Sequence, residues 1–164
     1  TITFFMFFPS NRDLNALEQA SCHSNTGIAL LRAGRNEEAL NSLRQSEASL
    51  RQMARALTAA GATWLPENLY KVEAGLGEAL RRRGQPGDHF ASYRYFARAV
   101  NLIEQLRARA ATTPALRAGH FGQRSWVYDR LLELLLEMRR KGLPLVPQEL
   151  GETEPSFWAL FLAF

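Results

Sequence analysis

Apolar residues recur at intervals of three and four positions along most of this chain, which is the spacing of one face of an α-helix. The stripe is clearest between Asn36 and Ala60, where leucines share one side and arginines lie largely outside it. Ala, Leu, Arg and Glu are abundant and Val, Ile and Thr scarce, which also favours helix over sheet. The pattern predicts an all-α fold, with further helices over residues 11–33, 66–84, 89–110 and 125–141.

Glycines interrupt the helical pattern at positions expected for the ends of helices. Gly34 follows the first stripe, and glycine enters the left-handed conformation after a helix without a Cβ clash. Asn36 is expected to cap the next helix with its side chain. Small residues at Gly27 and Ala39 let the two helices approach closely. Residues 27–43 therefore predict a helical hairpin.

Several segments are less regular. Residues 21–26 are polar and poor helix formers, so a break in the first helix is expected there. Residues 115–121 continue as a weak helix, two prolines make residues 143–147 extended, and a short apolar helix is expected from near Pro155. The predicted organisation is an apolar N-terminal arm (1–10), a helical-repeat domain (11–142) and a Pro-containing linker with a short apolar C-terminal helix (143–164).

One short segment of the sequence recurs. The segment Gly77–Gly84 repeats the spacing of Gly27–Gly34 fifty positions later, and a looser third copy, Leu135–Gly142, follows after a further 58. Repetition of one supersecondary unit is typical of proteins built from stacked repeats. We therefore expect helical hairpins that pack on one another.

The spacing of small and large residues in these copies resembles the tetratricopeptide repeat. In the first copy the matching residues are Gly27, Leu30, Gly34, Ala39, Leu43 and Ser46. In the second copy they are Gly77, Leu80, Gly84, Ser92, Phe96 and Ala99, the last three shifted by a longer turn. The resemblance implies antiparallel helical hairpins stacked as a short right-handed α-solenoid, whose concave surface binds an extended peptide or helix.

A narrower likeness covers about a quarter of the chain, between residues 96 and 136. Residues 99–108, Arg117 and residues 127–135 resemble the last repeats before the caspase-like CHAT domain of bacterial repeat proteins. This resemblance implies an alternative function, as the regulatory helical part of a protease whose catalytic domain is absent from this chain. The prolines after residue 143 depart from the charged helix usual in that family, which argues against protease activity in the chain itself.

Composition narrows the classes of function. The net charge of +4 comes mostly from arginine, and it permits an acidic partner without requiring nucleic acid. The single cysteine, Cys22, excludes an internal disulfide and fits a reducing compartment. Residues 2–8 are apolar, but they lack a basic leader and are far shorter than the roughly 20 residues of a membrane helix. We expect a cytoplasmic protein that is not inserted in a membrane.

Candidate catalytic chemistry is confined to Cys22 and His23. Adjacent residues of a helix point about 100° apart, so the thiol and the imidazole do not meet, and we interpret the pair as structural. The three histidines, His23, His89 and His120, stand far apart without cysteine or carboxylate at ligand spacing. We therefore expect no metal, no cofactor and no enzymatic activity.

Two basic clusters, residues 81–83 and 139–141, fall at equivalent ends of repeated helices. Cations at a helix C-terminus are stabilised by the helix dipole, and stacked hairpins would also bring the clusters onto one edge as a basic rim for an acidic peptide. No aromatic residues are interleaved with these arginines, which argues against RNA binding.

We therefore predict a non-catalytic protein–protein interaction scaffold that binds a partner peptide or helix. The candidate partner-binding residues are Asn25, Arg32, Asn68, Lys71, Arg81, Arg82, Arg83 and Arg130. A further alternative comes from the two ends of the chain, which hold eight of its seventeen aromatic residues. The ends either pack on each other or form an apolar patch that joins a larger assembly or a membrane surface.

Overall fold

The computed structural model describes residues 11–59, 68–110 and 124–143, which form helices and the short connections between them. The helices are α1 (Asn11–Arg32), α2 (Asn36–Ala59), α3 (Leu69–Arg83), α4 (Asp88–Ala110) and α5 (Ser125–Arg140). These three ranges contain no strand, so the predicted all-α class is confirmed for them.

Successive helices pack against one another in chain order. The most extensive contacts join α1 to α2 and α3 to α4, and smaller contacts join α2 to α3 and α4 to α5. The central helix α3 also touches α1 and α5, so it contacts all four other described helices. Every residue of α3 from Leu69 to Leu80 is buried except Lys71.

The interior consists of two apolar clusters that meet at α3. The first lies between α1, α2 and α3 and includes Leu43 and Leu76. The second lies between α3, α4 and α5 and includes Ala74, Phe96 and Leu131. Phe96 is fully buried, and Phe90 and Tyr93 of the same helix pack against this second cluster while partly buried.

The three repeated glycines adopt the left-handed conformation expected of helix ends, with φ of +76° at Gly34, +67° at Gly84 and +65° at Gly142. Gly34 and Gly142 share one hydrogen-bond pattern: the glycine N–H bonds the carbonyl three residues back, and the next N–H bonds the carbonyl five residues back. This pair of bonds is the Schellman motif. Gly84 ends α3 with a single bond from its N–H to the Leu80 carbonyl.

The predicted break within residues 21–26 is wrong, because α1 runs through them without interruption. Two serines of α2 donate to carbonyl oxygens on this part of α1: Ser42 to His23 at 2.8 Å and Ser46 to Ala20 at 2.7 Å. Contact with α2 therefore outweighs the weak helix propensity of the polar stretch.

The capping prediction for Asn36 is also wrong. Asn36 is the first residue of α2, and its Oδ1 atom is buried with no hydrogen-bond partner in the described part of the chain. Helix α3 begins at Leu69, later than the start predicted near Pro66. The arm at 1–10, the weak helix at 115–121 and the C-terminal helix lie outside the described residues, as does most of the linker.

Candidate functional site

The two described helix pairs repeat one packing contact. A Cβ atom added at Gly27 of α1 would lie 2.5 Å from Leu43 Cγ of α2. A Cβ atom added at Gly77 of α3 would lie 2.9 Å from Phe96 Cδ2 of α4. In each pair a glycine on the first helix makes room for a large side chain of the second. The sequence repeat therefore corresponds to a repeated contact between helices.

The same repeat aligns an arginine near the end of each first helix. Arg32 of α1, Arg82 of α3 and Arg140 of α5 occupy equivalent positions, fifty and 58 residues apart, and all three are exposed. Arg82 donates from Nη1 to the Leu31 carbonyl at 2.9 Å, which places it against the end of α1 beside Arg32. We call these three residues the arginine row.

Five of the eight predicted partner-binding residues are exposed: Arg82 of the arginine row and four others. Asn25 and Arg32 lie on α1, Asn68 directly precedes α3, and Lys71 is the one exposed residue in an otherwise buried part of α3. The Lys71 ammonium lies 5.9 Å from the centre of the Tyr70 ring, near the range of a cation–π contact. These four side chains can reach a partner without breaking any ion pair described here.

The other four predicted residues are arginines engaged with carboxylates of the same chain. Arg81 contacts both Glu78 and Glu133 at 3.2 Å, and Arg130 also contacts Glu133, at 2.7 Å. Arg82 contacts Glu78 at 2.6 Å. Glu133 therefore joins α5 to α3 through Arg81, whereas its pair with Arg130 lies within α5.

Arg83 holds three helices together. Its guanidinium donates two hydrogen bonds to Asp88 at the start of α4, at 2.8 and 2.6 Å, and reaches Glu37 of α2 at 3.3 Å. The hydrogen bond from Arg83 holds the pKa of the Asp88 carboxyl below its usual value. Asp88 also accepts a bond from the Gln85 N–H at 2.9 Å. The cluster at 81–83 thus joins the described helices to one another.

Sequence reasoning missed a buried carboxylate at the middle of α3. The Glu73 side chain is fully buried; Arg51 of α2 pairs with one of its oxygens, and Arg98 Nε of α4 lies 3.1 Å from the other. Arg51 also pairs with Glu47, and the Arg98 guanidinium lies 4.3 Å from the Tyr95 ring centre. Glu73 therefore links the first helix pair to the second.

Burial raises the pKa of Glu73 to about 7, although Arg98 and Arg51 act in the opposite direction. The Glu47 carboxylate adds to the rise. A perturbed pKa occurs both in functional sites and in structural ion-pair networks. Both cations that face Glu73 come from packed neighbouring helices, so we interpret it as part of a structural network. One signal was present in the sequence, because Glu73 lies four residues after Leu69, on the apolar stripe of its helix.

The candidate catalytic residues do not form a cluster. Cys22 is exposed on α1, and His23 beside it is half-buried. His89 contacts Glu137 and Lys141 at 3.1 and 2.9 Å. Within the described ranges no group of His, Cys, Asp and Glu is placed to hold a metal ion. No helix in those ranges is both long enough and apolar enough to cross a membrane.

The described geometry defines an all-α protein of packed helices, with exposed arginines near the ends of α1, α3 and α5. No protein family, curated protein or solved structure gives a significant match to this chain.

Proposed function

We propose that this chain is a non-catalytic scaffold that binds an acidic peptide or helix of a partner protein. In this proposal α1–α2 and α3–α4 are successive units of a short right-handed, tetratricopeptide-like solenoid, and α5 begins a third unit. The recurring contacts Gly27–Leu43 and Gly77–Phe96 support such stacking. The partner would lie in the groove along the first helices, α1, α3 and α5.

The arginine row is the observation that carries this proposal. Arg32, Arg82 and Arg140 are exposed at equivalent positions, and Lys71 adds an exposed cation to the central first helix. A guanidinium group can bind a carboxylate through two parallel hydrogen bonds, so spaced arginines suit spaced Asp or Glu side chains. Asn25 and Asn68 can donate hydrogen bonds to a peptide backbone and accept hydrogen bonds from it, which would position the partner whatever its charge.

The expected binding depends on several charges acting together. One solvent-exposed ion pair contributes only about 0–1 kcal/mol, and salt screens it. We therefore expect affinity to fall steeply with ionic strength, and to fall further with each cation that is reversed.

The test measures the affinity of one peptide for charge variants of the full chain. A displayed peptide library selects the tightest binder, and fluorescence anisotropy then gives its Kd. We expect the Arg32→Glu/Lys71→Glu variant to bind at least about tenfold more weakly, since reversed charges oppose an acidic ligand.

The matched control is Arg44→Glu/Arg94→Glu. It makes the same change in net charge at exposed positions of the second helices, α2 and α4. We expect its Kd to stay within about twofold of wild type at physiological salt. Equal weakening of the two variants, or selection of peptides without acidic residues, would contradict the proposal. Reversal of residues 81–83 is unsuitable, because it would break ion pairs within the chain.

A further inference from the structure

Helix α5 carries an exposed apolar face. In the described part of the chain, the exposed large apolar residues are Trp126, Leu132 and Leu136, and all three lie on α5. Leu132 and Leu136 are 37% and 54% exposed. They are four residues apart, so they lie on the same side of the helix. The opposite side of α5, with Leu131 and Leu134, is buried in the second apolar cluster.

The internal repeat shows what covers this face elsewhere in the molecule. Fifty-eight positions earlier, Leu132 corresponds to Ala74 and Leu136 to Glu78. Both residues are buried on α3, and Ala74 belongs to the cluster that α3 shares with α4 and α5. On α3, therefore, this face is covered by helices that come later in the chain. Among the described helices, none comes after α5.

We propose that residues 155–164 of this same chain form the second helix of a third pair and cover Leu132 and Leu136. The segment is apolar nearly all round, with Phe157, Trp158 and Phe161 among its residues, so it needs apolar surface to pack against. The Schellman turn at Gly142 matches the turn at Gly34, after which the chain folds back at once as α2.

Chain length permits this arrangement. Residues 144–154 lie between the turn that follows α5 and the segment, and eleven residues can span up to about 35 Å when extended. Helix α5 has 16 residues and is therefore about 24 Å long. The connection is long enough for the segment to lie alongside any part of α5.

The described pairs also suggest a register. In both, opposed residues lie nearly the same number of positions from the connecting turn: Gly27 is five before Arg32, and Leu43 is seven after Asn36. Gly77 is likewise six before Arg83, and Phe96 is eight after Asp88. With a helix starting at Pro155, the residue opposite Leu136 is therefore Phe161.

Disulfide formation in the full chain tests this proximity. In a Cys22→Ser background, Leu136→Cys is combined in turn with a cysteine at each position from 157 to 163. Mild oxidation is followed by mass spectrometry of non-reduced peptides. We expect intramolecular disulfides to form fastest at positions three or four apart, which identifies a helix lying on α5.

The matched control moves the first cysteine to Lys71, an exposed position on α3. We expect Lys71→Cys to cross-link to the same positions at least about tenfold more slowly, because accessibility alone does not bring two thiols together. Equal rates from Lys71→Cys and Leu136→Cys would overturn the proposal. Intermolecular disulfides with a dimer in light scattering would instead assign the face to a second copy. Faster reaction of Leu136→Cys with Phe5→Cys would assign it to the N-terminal arm.

A second measurement needs no cysteines. With Trp64→Phe and Trp126→Phe, Trp158 remains the only tryptophan, and its emission reports whether the segment is covered. We expect Leu136→Glu to shift that emission to the red and Arg140→Glu, an exposed charge reversal on the same helix, to leave it unchanged. No shift with Leu136→Glu would overturn the proposal. Neither measurement uses a peptide ligand, so this inference and the proposed function can fail independently.

Discussion

At Gly27 and Gly77 the absence of a side chain lets the second helix of each pair approach until Leu43 or Phe96 fills the space. Atoms in a protein interior are close-packed, so one added methyl group must displace a neighbour. Glycine in a helix normally lowers stability, by up to about 1 kcal/mol relative to alanine. At these two positions the tight contact makes glycine more favourable than alanine.

We expect Gly27→Ala and Gly77→Ala to lower the free energy of unfolding by about 1–3 kcal/mol, because overpacking outweighs the gain in helix propensity. Gly75→Ala should cost less than either, since its added Cβ would meet the methyl carbons of Leu43 at the longer distances of 3.1 and 3.3 Å, and Leu31 Cδ1 at 3.9 Å. Urea unfolding of the three variants provides the comparison.

A double-mutant cycle identifies the cause. Leu43→Ala alone should cost about 2–5 kcal/mol through the cavity that it leaves. Combined with Gly27→Ala, the total should be smaller than the sum of the single effects, because the new methyl group occupies part of that cavity. Strict additivity would show that the clash with Leu43 is not the source of the loss.

The buried Glu73 carboxyl gives stability a specific pH dependence. Its pKa is raised to about 7, so at intermediate pH the folded protein keeps a proton that the unfolded chain has released. Its contribution to stability is therefore full below the unfolded pKa of roughly 4.5 and declines as pH rises to about 7. From pH 5 to pH 8, wild type should lose on the order of 3 kcal/mol relative to Glu73→Gln. Urea unfolding at the two pH values measures the difference.

Glu47→Gln serves as the companion variant. It removes a charge that helps to raise the pKa of Glu73, so the pH-dependent decline should shrink and move to lower pH. Equal pH slopes for wild type and Glu73→Gln would show that Glu73 does not titrate in this range.

At the scale of elements, the connection between α3 and α4 depends on one ion pair with two hydrogen bonds. Asp88→Asn keeps the size of the side chain but removes the charge that Arg83 binds. We expect a loss of about 1–3 kcal/mol at pH 7, since charge-assisted pairs with this geometry are among the stronger polar contacts. Because the pKa of Asp88 is lowered in the folded protein, the wild-type advantage should disappear as pH falls through that pKa.

Glu38→Gln is the matched control for Asp88→Asn. It also breaks an Arg–carboxylate pair beside a turn glycine, but the side chains of Arg35 and Glu38 are both more than half exposed. We expect no measurable change in stability, because solvent screens exposed pairs. Thermal unfolding of both variants at neutral pH checks the contrast, and equal losses would contradict it.

The type of each element and the ends of the helices could be predicted from local sequence, whereas much of the candidate site could not. Apolar spacing and the glycines at 34, 84 and 142 predicted where helices run and stop, because both signals are local. The break expected at 21–26 failed because α2 packs against it. The pairs Arg81–Glu133 and Arg83–Glu37 could not be predicted, since their partners lie 52 and 46 positions apart in sequence.

At the scale of the whole molecule, α3 is the helix on which the described fold converges. It contacts α1, α2, α4 and α5 and contributes to both apolar clusters. Opening of α3 therefore requires separation from every neighbour, while α1 or α5 can detach from one side. Local openings of this kind determine the rates of amide hydrogen exchange.

We expect the amides of residues 72–80 to exchange most slowly, with an opening free energy close to that of global unfolding. The α5 amides should exchange faster, because a helix at one side of the array opens at lower cost. Native-state exchange followed by mass spectrometry at low denaturant concentrations measures both. Equal protection of α3 and α5 would indicate a single cooperative unit.

The two helix pairs make the same glycine contact although their connections differ in length. Gly34 precedes Leu43 by nine positions, and Gly84 precedes Phe96 by twelve. The extra residues form an exposed tip at Gln85, Pro86 and Gly87. A dye attached to a cysteine at Pro86 would therefore report on this protein from an exposed position, with both glycine contacts left intact.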